Sequence, residues 1–187
     1  SDTVPIYPFK IDTGPISGQI VKSVKSWENF YENLEGNKKS FFKFRGHPSD
    51  YWGIQKYFQN KYGQDFFSKK KNFKDDLETS RIAINTSFSS TFFETMYSGR
   101  PNILLFDGTI FSLNHETRKL VEYFKENQIL FDDSSEAARH VSKILEEPYE
   151  WWNSKKILDI RNKFNSLCFL KKSDDLKYWQ EIFKSLL

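Results

Sequence analysis

Hydrophobic and polar positions alternate along the chain in short units that predict strands followed by helices. Apolar runs at residues 81–85, 102–106 and 129–131 each end in a polar turn, as buried strands do. Helical periodicity follows each run, and the predicted helices cover residues 91–98, 115–127 and 136–145. Ser134 or Ser135 is predicted to cap the last of them. Repeated strand-then-helix units imply a parallel sheet with helices on both faces.

Shorter elements are predicted before and after this core. Residues 1–20 contain three prolines and two glycines and are interpreted as a linker or lead-in from a missing N-terminal domain. Ser26 is predicted to cap a short helix whose apolar stripe runs from Trp27 to Leu34. Further predicted elements are strands at 40–45 and 64–67, helices at 52–62 and 72–77, and helices only after residue 150, the last at 174–187.

The composition is typical of one folded domain. Of the 187 residues, 38% are hydrophobic and 18% aromatic, so rings supply much of the apolar volume. Together with the order of elements, this predicts a single α/β, Rossmann-like three-layer domain over residues 21–187. Its parallel β-sheet is expected to be flanked by helices, and its C-terminus to be helical.

Charge and cysteine content argue against several classes of function. Lys and Arg number 28 against 25 Asp and Glu, and the net charge of +3 is spread along the chain, so no nucleic-acid partner is expected. The single Cys168 cannot form an intramolecular disulfide, no apolar run is long enough to span a bilayer, and no signal peptide opens the chain. A cytoplasmic location is therefore expected. No metal or other cofactor is expected, because no Cys/His cluster or Asp-x-Asp motif is present. His115 and His140 lie in predicted helices among charged neighbours and are interpreted as surface residues.

The hydroxyl-rich turn after the 81–85 strand is the strongest candidate site. In an open parallel sheet, ligands bind beyond the carboxyl ends of the strands, where helix N-termini direct free N–H groups outward. A neutral phosphate cradle is predicted from the side chains of this turn, namely Ser87, Ser89, Ser90 and Thr91. Glu94, one turn further on, is suitably spaced to bind a ribose. Ordinary capping by Ser89 or Ser90, or a capping box with Glu94, explains the same residues without a ligand.

A second polar turn contains Arg45 and His47. Both are expected to bind a phosphate, and His47 is also a candidate proton donor to a leaving group. Gly99, at the end of the predicted 91–98 helix, and Asp107, after the next strand, are expected to line the same crevice. The two polar turns are expected to lie side by side at one rim of the sheet, facing a common anion. No Ser-His-Asp order, G-x-S-x-G or Walker motif is present.

The run at residues 89–101 resembles a signature of the C-terminal domain of GT-B glycosyltransferases, in which hydroxyls, a Glu and Gly-x-Pro follow one another. Residues 129–133, 136–138 and 150–154 are similar to a group of bacterial surface-carbohydrate transferases of that superfamily. In such families the hydroxyl loop holds the donor phosphate and the Glu commonly holds ribose. The resemblance implies these roles for Ser89, Ser90, Thr91 and Glu94.

The dipeptides His47-Pro48 and Ser89-Ser90 are also similar to the HP and SS/ST motifs of bacterial sialyl- and Kdo-transferases, which use CMP-activated sugars. This resemblance implies that His47 contacts the CMP phosphate and assists its departure, while the two serines bind that phosphate. The expected donor is a CMP-, UDP- or GDP-linked sugar.

GT-B enzymes place the acceptor site, and usually the catalytic base, in an N-terminal domain. The resemblance therefore implies that this fragment is inactive alone and acts in bacterial surface polysaccharide synthesis when joined to that domain. A glycan or lipid-linked acceptor would bind the missing domain, and peripheral membrane association of the full-length protein is compatible with this role. Two alternatives stay open: a non-catalytic α/β domain that binds a nucleotide or phosphorylated sugar, and a protein-interaction domain.

Overall fold

A parallel sheet of three short strands lies at the centre of the molecule. The strands are β1 (Ala83–Asn85), β2 (Asn102–Leu105) and β3 (Leu130–Phe131), in the order β1-β2-β3. The computed structural model describes residues 17–48, 50, 52–107, 115–168 and 184. Ala83 pairs with Asn102, and Leu104 pairs with Leu130. Each of the three apolar runs is therefore confirmed as a strand.

Helices surround the sheet in the predicted order. The described α-helices are α1 (Ser17–Glu32), α2 (Ile54–Tyr62), α3 (Phe73–Thr79), α4 (Ser90–Ser98), α5 (His115–Glu126), α6 (Ser134–Ile144), α7 (Pro148–Trp152) and α8 (Lys155–Cys168), with 3-10 helices at Gly36–Phe41 and Gln64–Phe66. The succession β1, α4, β2, α5, β3, α6 consists of two parallel crossovers followed by a helix. This confirms the predicted α/β class and the helical carboxyl-terminal part.

The two faces of the sheet carry separate apolar layers, because successive strand side chains point to opposite sides. On one face, Leu104 packs in a cluster with Phe92 of α4 and Phe124 of α5, to which α8 also contributes. On the other face, Ile103 packs in a cluster with Phe30 of α1 and with residues of α6. The result is the predicted helix–sheet–helix sandwich of a Rossmann-like domain.

Helix α1 begins at Ser17, well before its predicted cap at Ser26. Ile20 is buried, and it lies two turns before Trp27 on the same apolar stripe. The stripe therefore extends backward through a segment whose prolines and glycines predicted a linker. Residues 17–20 of that predicted linker belong to α1, and residues 1–16 lie outside the described part of the chain.

The two predicted short strands at 40–45 and 64–67 each begin as the end or the whole of a 3-10 helix, and only their later residues are extended. Each 3-10 helix is followed by an extended stretch, and the two stretches meet in one parallel bridge between Phe44 and Phe67. The amide of Phe44 donates to the carbonyl of Phe66 over 2.8 Å, and the amide of Ser68 donates to the carbonyl of Phe44 over 2.9 Å. The aromatic runs that predicted strands instead pack their rings together, as in the stacked pair Phe44 and Phe66 at 5.6 Å.

Helix α2 is held against α1 by a polar network. The Lys61 Nζ lies 2.7 Å from Glu28 Oε1 and 3.1 Å from Glu32 Oε1. The Tyr62 hydroxyl donates to Glu32 over 2.9 Å. Hydrogen bonds from Lys61 and Tyr62 lower the pKa of the Glu32 carboxyl. These contacts link α2 to α1 at the protein surface.

The cap of α6 differs from the prediction. Its N-cap is Asp133 and not Ser134 or Ser135, and the Asp133 carboxylate accepts from the amides of Ser135 at 2.7 Å and Glu136 at 3.0 Å. The Ser135 hydroxyl also donates to it, and this hydrogen bond is the largest cause of a lowered pKa for Asp133. A carboxylate is a strong N-cap because it also complements the helix dipole.

His140 on α6 is buried, so its interpretation as a surface residue is wrong, whereas His115 is exposed. Its ring lies 5.3 Å from that of Phe131 and 5.0 Å from that of Trp151. Burial, with a smaller effect of Lys143, lowers the pKa of His140 to about 4. The ring is therefore neutral at pH 7 and serves as part of the packing between α6, β3 and α7.

The carboxyl-terminal helices were also predicted from sequence. The apolar pattern after residue 150 corresponds to the end of α7 and to α8. The predicted helix at 174–187 lies outside the described residues, apart from Lys184. Within the described part of the chain, no helix combines the length and apolar character needed to cross a membrane.

Candidate functional site

The three strands end at one rim of the sheet, because they are parallel. Beyond β1 the chain passes through residues 86–89 into α4; beyond β2 it reaches Phe106 and Asp107; beyond β3 it enters α6. This is the rim at which open α/β sheets bind ligands. Two described helices, α4 and α6, begin there.

The first turn of α4 has no side-chain cap. Ser89 occupies the N-cap position with extended backbone angles, φ −116° and ψ 174°, but its side chain makes no capping hydrogen bond. The Ser89 Oγ instead lies 2.8 Å from the Thr91 Oγ1. The amide of Ser89 donates to the carbonyl of Ser87 over 2.9 Å, which tightens the turn. The prediction of ordinary capping therefore does not explain these hydroxyls.

The contrast with α6 is direct. At the start of α6 the Asp133 carboxylate accepts hydrogen bonds from the amides of Ser135 and Glu136. A helix N-terminus already occupied by a carboxylate repels a further anion, whereas a neutral uncapped one attracts it. Of these two helix starts, α4 is the one suited to a phosphate.

Glu94 is exposed, one turn into α4. With Ser89 as the N-cap, the third helical position of a capping box is Phe92, so Glu94 is too far along the helix to form that box. The capping-box explanation of Glu94 is therefore wrong. Ser90 is also exposed and lies four residues earlier, on the same side of the helix.

The aromatic ring of Phe88 anchors the turn to the core. It meets the ring of Phe92 at 5.3 Å and that of Phe106 at 4.9 Å, both edge to face. Phe92 itself is fully buried. The hydroxyls of Ser89 and Thr91 therefore lie on a turn that the Phe88 ring holds against the core, which favours a preformed site.

Gly99, predicted to line the crevice, lies at the opposite end of α4. It is the C-cap in the left-handed conformation, φ 75°, and its carbonyl accepts from the Trp152 Nε1 over 2.8 Å. β2 begins three residues later, paired with the first residue of β1. Gly99 therefore lies at the opposite edge of the sheet, where the strands begin. Its role there is to cap α4, because only glycine adopts this backbone conformation without strain.

Arg45, predicted to bind the donor phosphate, is already paired. Its Nε forms an ion pair with Asp76 on α3, and its Nη2 donates to the carbonyl of Lys70 over 2.6 Å. These contacts hold the 42–45 segment against α3. The guanidinium charge is balanced within the fold, so Arg45 is a positioning residue for its loop.

The turn that contains His47 is built on α2. The Asp50 carboxylate accepts from the amides of Ile54 at 2.7 Å and Gln55 at 3.0 Å, which starts the helix. The Gln55 side chain in turn donates to the carbonyl of His47 over 2.8 Å. A Cβ on Gly46 would come within 2.6 Å of the Gln55 side chain, so a glycine there lets Gln55 cover the turn. The imidazole of His47 is exposed.

Ring contacts give the direction of the segment that leads to His47. Tyr31 lies 5.4 Å from Phe42, and Trp27, one turn earlier on α1, lies 6.1 Å from Phe44. The segment therefore runs antiparallel to α1.

Helix α1 itself runs away from the carboxyl-end rim. Lys22, near its start, pairs with Asp107 just beyond β2, and Asn29 donates to Ser134 at the start of α6, so both contacts lie at that rim. The amide of Glu35, after the helix, donates to Ser142 further along α6. The segment antiparallel to α1 thus heads toward that rim. No hydrogen bond or ion pair between described residues links the His47 turn to residues 85–91.

Sequence reasoning missed Lys22. It forms an ion pair with Asp107, predicted to line the crevice, and 59% of its side chain is exposed. The backward extension of the α1 stripe to Ile20 is the signal that would have placed Lys22 on a helix. Its ammonium is a cation at the rim that also carries the α4 N-terminus. Among the described residues, no group of three or more His, Cys, Asp and Glu side chains is arranged to hold a metal ion.

Comparison with known proteins gives one assignment. A family model described as "LIC12162 family transferase" matches residues 1–183. No curated protein and no solved structure matches the chain. Since the family model spans nearly the whole sequence, the chain belongs to the LIC12162 family of transferases.

Proposed function

We propose that this chain is the donor-binding part of a GT-B-type glycosyltransferase that uses a nucleotide-linked sugar in bacterial surface polysaccharide synthesis. The observation that carries the proposal is the uncapped N-terminus of α4 at the carboxyl-end rim of a parallel sheet, in a chain of a transferase family. Transferases that use nucleotide sugars must hold a phosphate while the bond to the sugar breaks. The first turn of α4 offers what such a phosphate requires.

The phosphate is proposed to bind the free N–H groups of the first turn together with the hydroxyls of Ser89, Ser90 and Thr91. The helix dipole favours a negative charge at this place, and hydrogen bonds to a charged oxygen contribute about 1.5–3 kcal/mol each. The cradle itself is neutral. Lys22 lies at the same rim, but its ammonium is already paired with Asp107, so the phosphate is proposed to be held by hydrogen bonds and the helix dipole.

Two further side chains are assigned roles in this proposal. Glu94 would accept hydrogen bonds from the ribose hydroxyls, for which its exposed carboxylate on the same side of α4 as Ser90 is suited. His47 would donate a proton to the nucleotide phosphate, which is the leaving group when the sugar is transferred. Its exposed imidazole at the end of a segment that runs toward the rim supports this role. In this proposal a second domain binds the glycan or lipid-linked acceptor.

A nucleotide should stabilise the protein against heat. At 100 times its dissociation constant, a ligand that binds only the folded state adds about 2.7 kcal/mol, which for a chain of this size raises the melting temperature by roughly 5–10 °C. CMP, UDP and GDP compared in thermal denaturation will show which base is preferred. Ser90→Ala should weaken binding by about tenfold, because one hydrogen bond to a charged oxygen is lost.

Ser98→Ala is the matched control for this experiment. Ser98 lies on the same helix at its other end, where its hydroxyl donates to the carbonyl of Thr95 over 2.7 Å. It should leave the nucleotide effect unchanged, whereas His47→Ala should reduce it. Equal effects of Ser90→Ala and Ser98→Ala, or no stabilisation by any nucleotide, would refute the proposed donor site.

A further inference from the structure

An open cavity of about 220 Å³ lies beside the His47 turn and is not used in the proposed phosphate site. It is formed where the two extended stretches that pair at Phe44 and Phe67 come to an end, with α2 along one side. The carbonyl of His47 accepts from Gln55, one of its lining residues. The Gln55 side chain therefore both lines the cavity and holds the turn.

Neutral amides line this cavity. Gln55 and Gln59 are four residues apart on α2, so their side chains share one side of the helix, and Gln64 opens the following 3-10 helix. Within the described part of the chain, the side-chain amides of Gln59 and Gln64 have no hydrogen-bond partner. Each therefore offers one carbonyl acceptor and two N–H donors to a ligand.

Two aromatic residues and a balanced charge complete the lining. Phe44 and Phe67 also border the cavity, with their rings 5.8 Å apart and edge to face. Arg45 contributes to the wall, but its charge is balanced by Asp76. The accessible lining of the cavity is mostly polar, and its described residues include no unpaired cation, which makes it a poor site for a phosphate.

We propose that this cavity binds a neutral sugar ring. Every sugar hydroxyl is both a donor and an acceptor, and an amide side chain can satisfy both with one group. The inference rests on the proposed function, since Gln55 joins the cavity to the turn of His47, the residue proposed to protonate the leaving phosphate.

The sugar can come from two sources, the donor or a sugar unit of the acceptor whose remainder is held by the proposed second domain, and the experiment separates them. The first measurement is amide NMR of the intact protein titrated with free glucose, galactose and N-acetylglucosamine, with inorganic phosphate as the charged comparison. We expect the sugars to shift the side-chain amide signals of Gln59 and Gln64. The double substitution Gln59→Leu and Gln64→Leu should weaken sugar binding tenfold or more, because two hydrogen bonds are lost.

Asn60→Leu is the matched control, since Asn60 is an exposed amide on the same helix that does not line the cavity. It should leave sugar binding unchanged. If the sugar belongs to the donor, the nucleotide sugar will bind more tightly than the nucleotide, and the double substitution will remove only that gain. If it belongs to the acceptor, free sugar will bind equally with and without the nucleotide sugar.

Three results would overturn the sugar site. These are sugar binding unaffected by the double substitution, no shift of the glutamine amides by any of the sugars, and equal loss with Asn60→Leu. Nucleotide binding that depends on Ser90 would survive any of them, so failure of the sugar site is distinguishable from failure of the donor site. Loss of nucleotide binding in the double substitution would also count against the sugar site, because the phosphate is proposed to bind at α4.

Discussion

Replacing Ser89 with aspartate is expected to abolish nucleotide binding without destabilising the free protein. Ser89 already has the extended backbone of an N-cap residue, and its side chain makes no cap. An aspartate there would accept hydrogen bonds from the free N–H groups of the first turn and should stabilise α4 by about 0.5–1 kcal/mol. It would also place a carboxylate where the phosphate is proposed to lie. Two like charges about 4 Å apart near a protein surface repel by roughly 4 kcal/mol, so affinity should fall well over tenfold.

Ser89→Asn separates charge from capping in this experiment. Asparagine caps as well as aspartate but carries no charge. It should weaken nucleotide binding only in part, through competition for the same N–H groups. Titration calorimetry with the preferred nucleotide and thermal unfolding of each free variant are the two measurements. Full nucleotide affinity in Ser89→Asp would exclude α4 as the phosphate site.

Replacing Trp152 with alanine is expected to cost about 3–5 kcal/mol of folding free energy. The Trp152 side chain is fully buried among the residues of α4, α5 and α8, and its Nε1 donates to the Gly99 carbonyl over 2.8 Å. The Arg161 guanidinium lies 4.6 Å above its ring. Truncation leaves a large cavity and an unpaired carbonyl at the end of α4. Such a loss is a large share of the 5–15 kcal/mol by which domains are usually stable.

Trp52→Ala is the control for the core substitution. Trp52 is 44% exposed, just before α2, and its loss should change stability by well under 1 kcal/mol. Urea denaturation followed by circular dichroism measures both variants. A loss of less than 1 kcal/mol for Trp152→Ala would show that α7 does not join α4 and α8 in one core.

The parts of the fold that were predicted correctly are those whose signal is local. β2 is buried along its whole length, and the apolar run at residues 103–106 could be recognised without knowing its neighbours. The start of α4 was also correct to within one residue, because a hydroxyl-rich turn before an apolar stripe is a helix signal whatever else surrounds it.

The errors arose where distant residues decide the outcome. Arg45 has the composition of a phosphate ligand, but its ion pair with Asp76, 31 residues away, could not be predicted from the sequence. His140 has charged sequence neighbours, yet its ring is buried, because α6 packs against Phe131 of β3 and also against Trp151 of α7. Neither partner can be found by periodicity within one element. Tertiary contacts therefore overruled local pattern at both residues.

Gly99 is a different kind of error, because its position follows from helix length. Nine residues of α4 rise about 13 Å, which separates its two ends by most of the height of the sheet. A residue at the C-cap of a helix cannot share a phosphate with the N-terminus of the same helix. The G-x-P part of the resemblance therefore reflects how α4 ends and not a ligand contact.

The most direct measurement is the response of backbone amide NMR signals to a nucleotide. Binding of CMP, UDP or GDP should shift the amides of Ser90, Thr91 and Phe92, whose N–H groups form the open first turn of α4. The amide signals of Ser135 and Glu136, whose N–H groups already donate to the Asp133 carboxylate, should not shift. Saturating nucleotide that leaves the α4 amides unmoved, or that shifts the two helix starts alike, would contradict a phosphate site at α4.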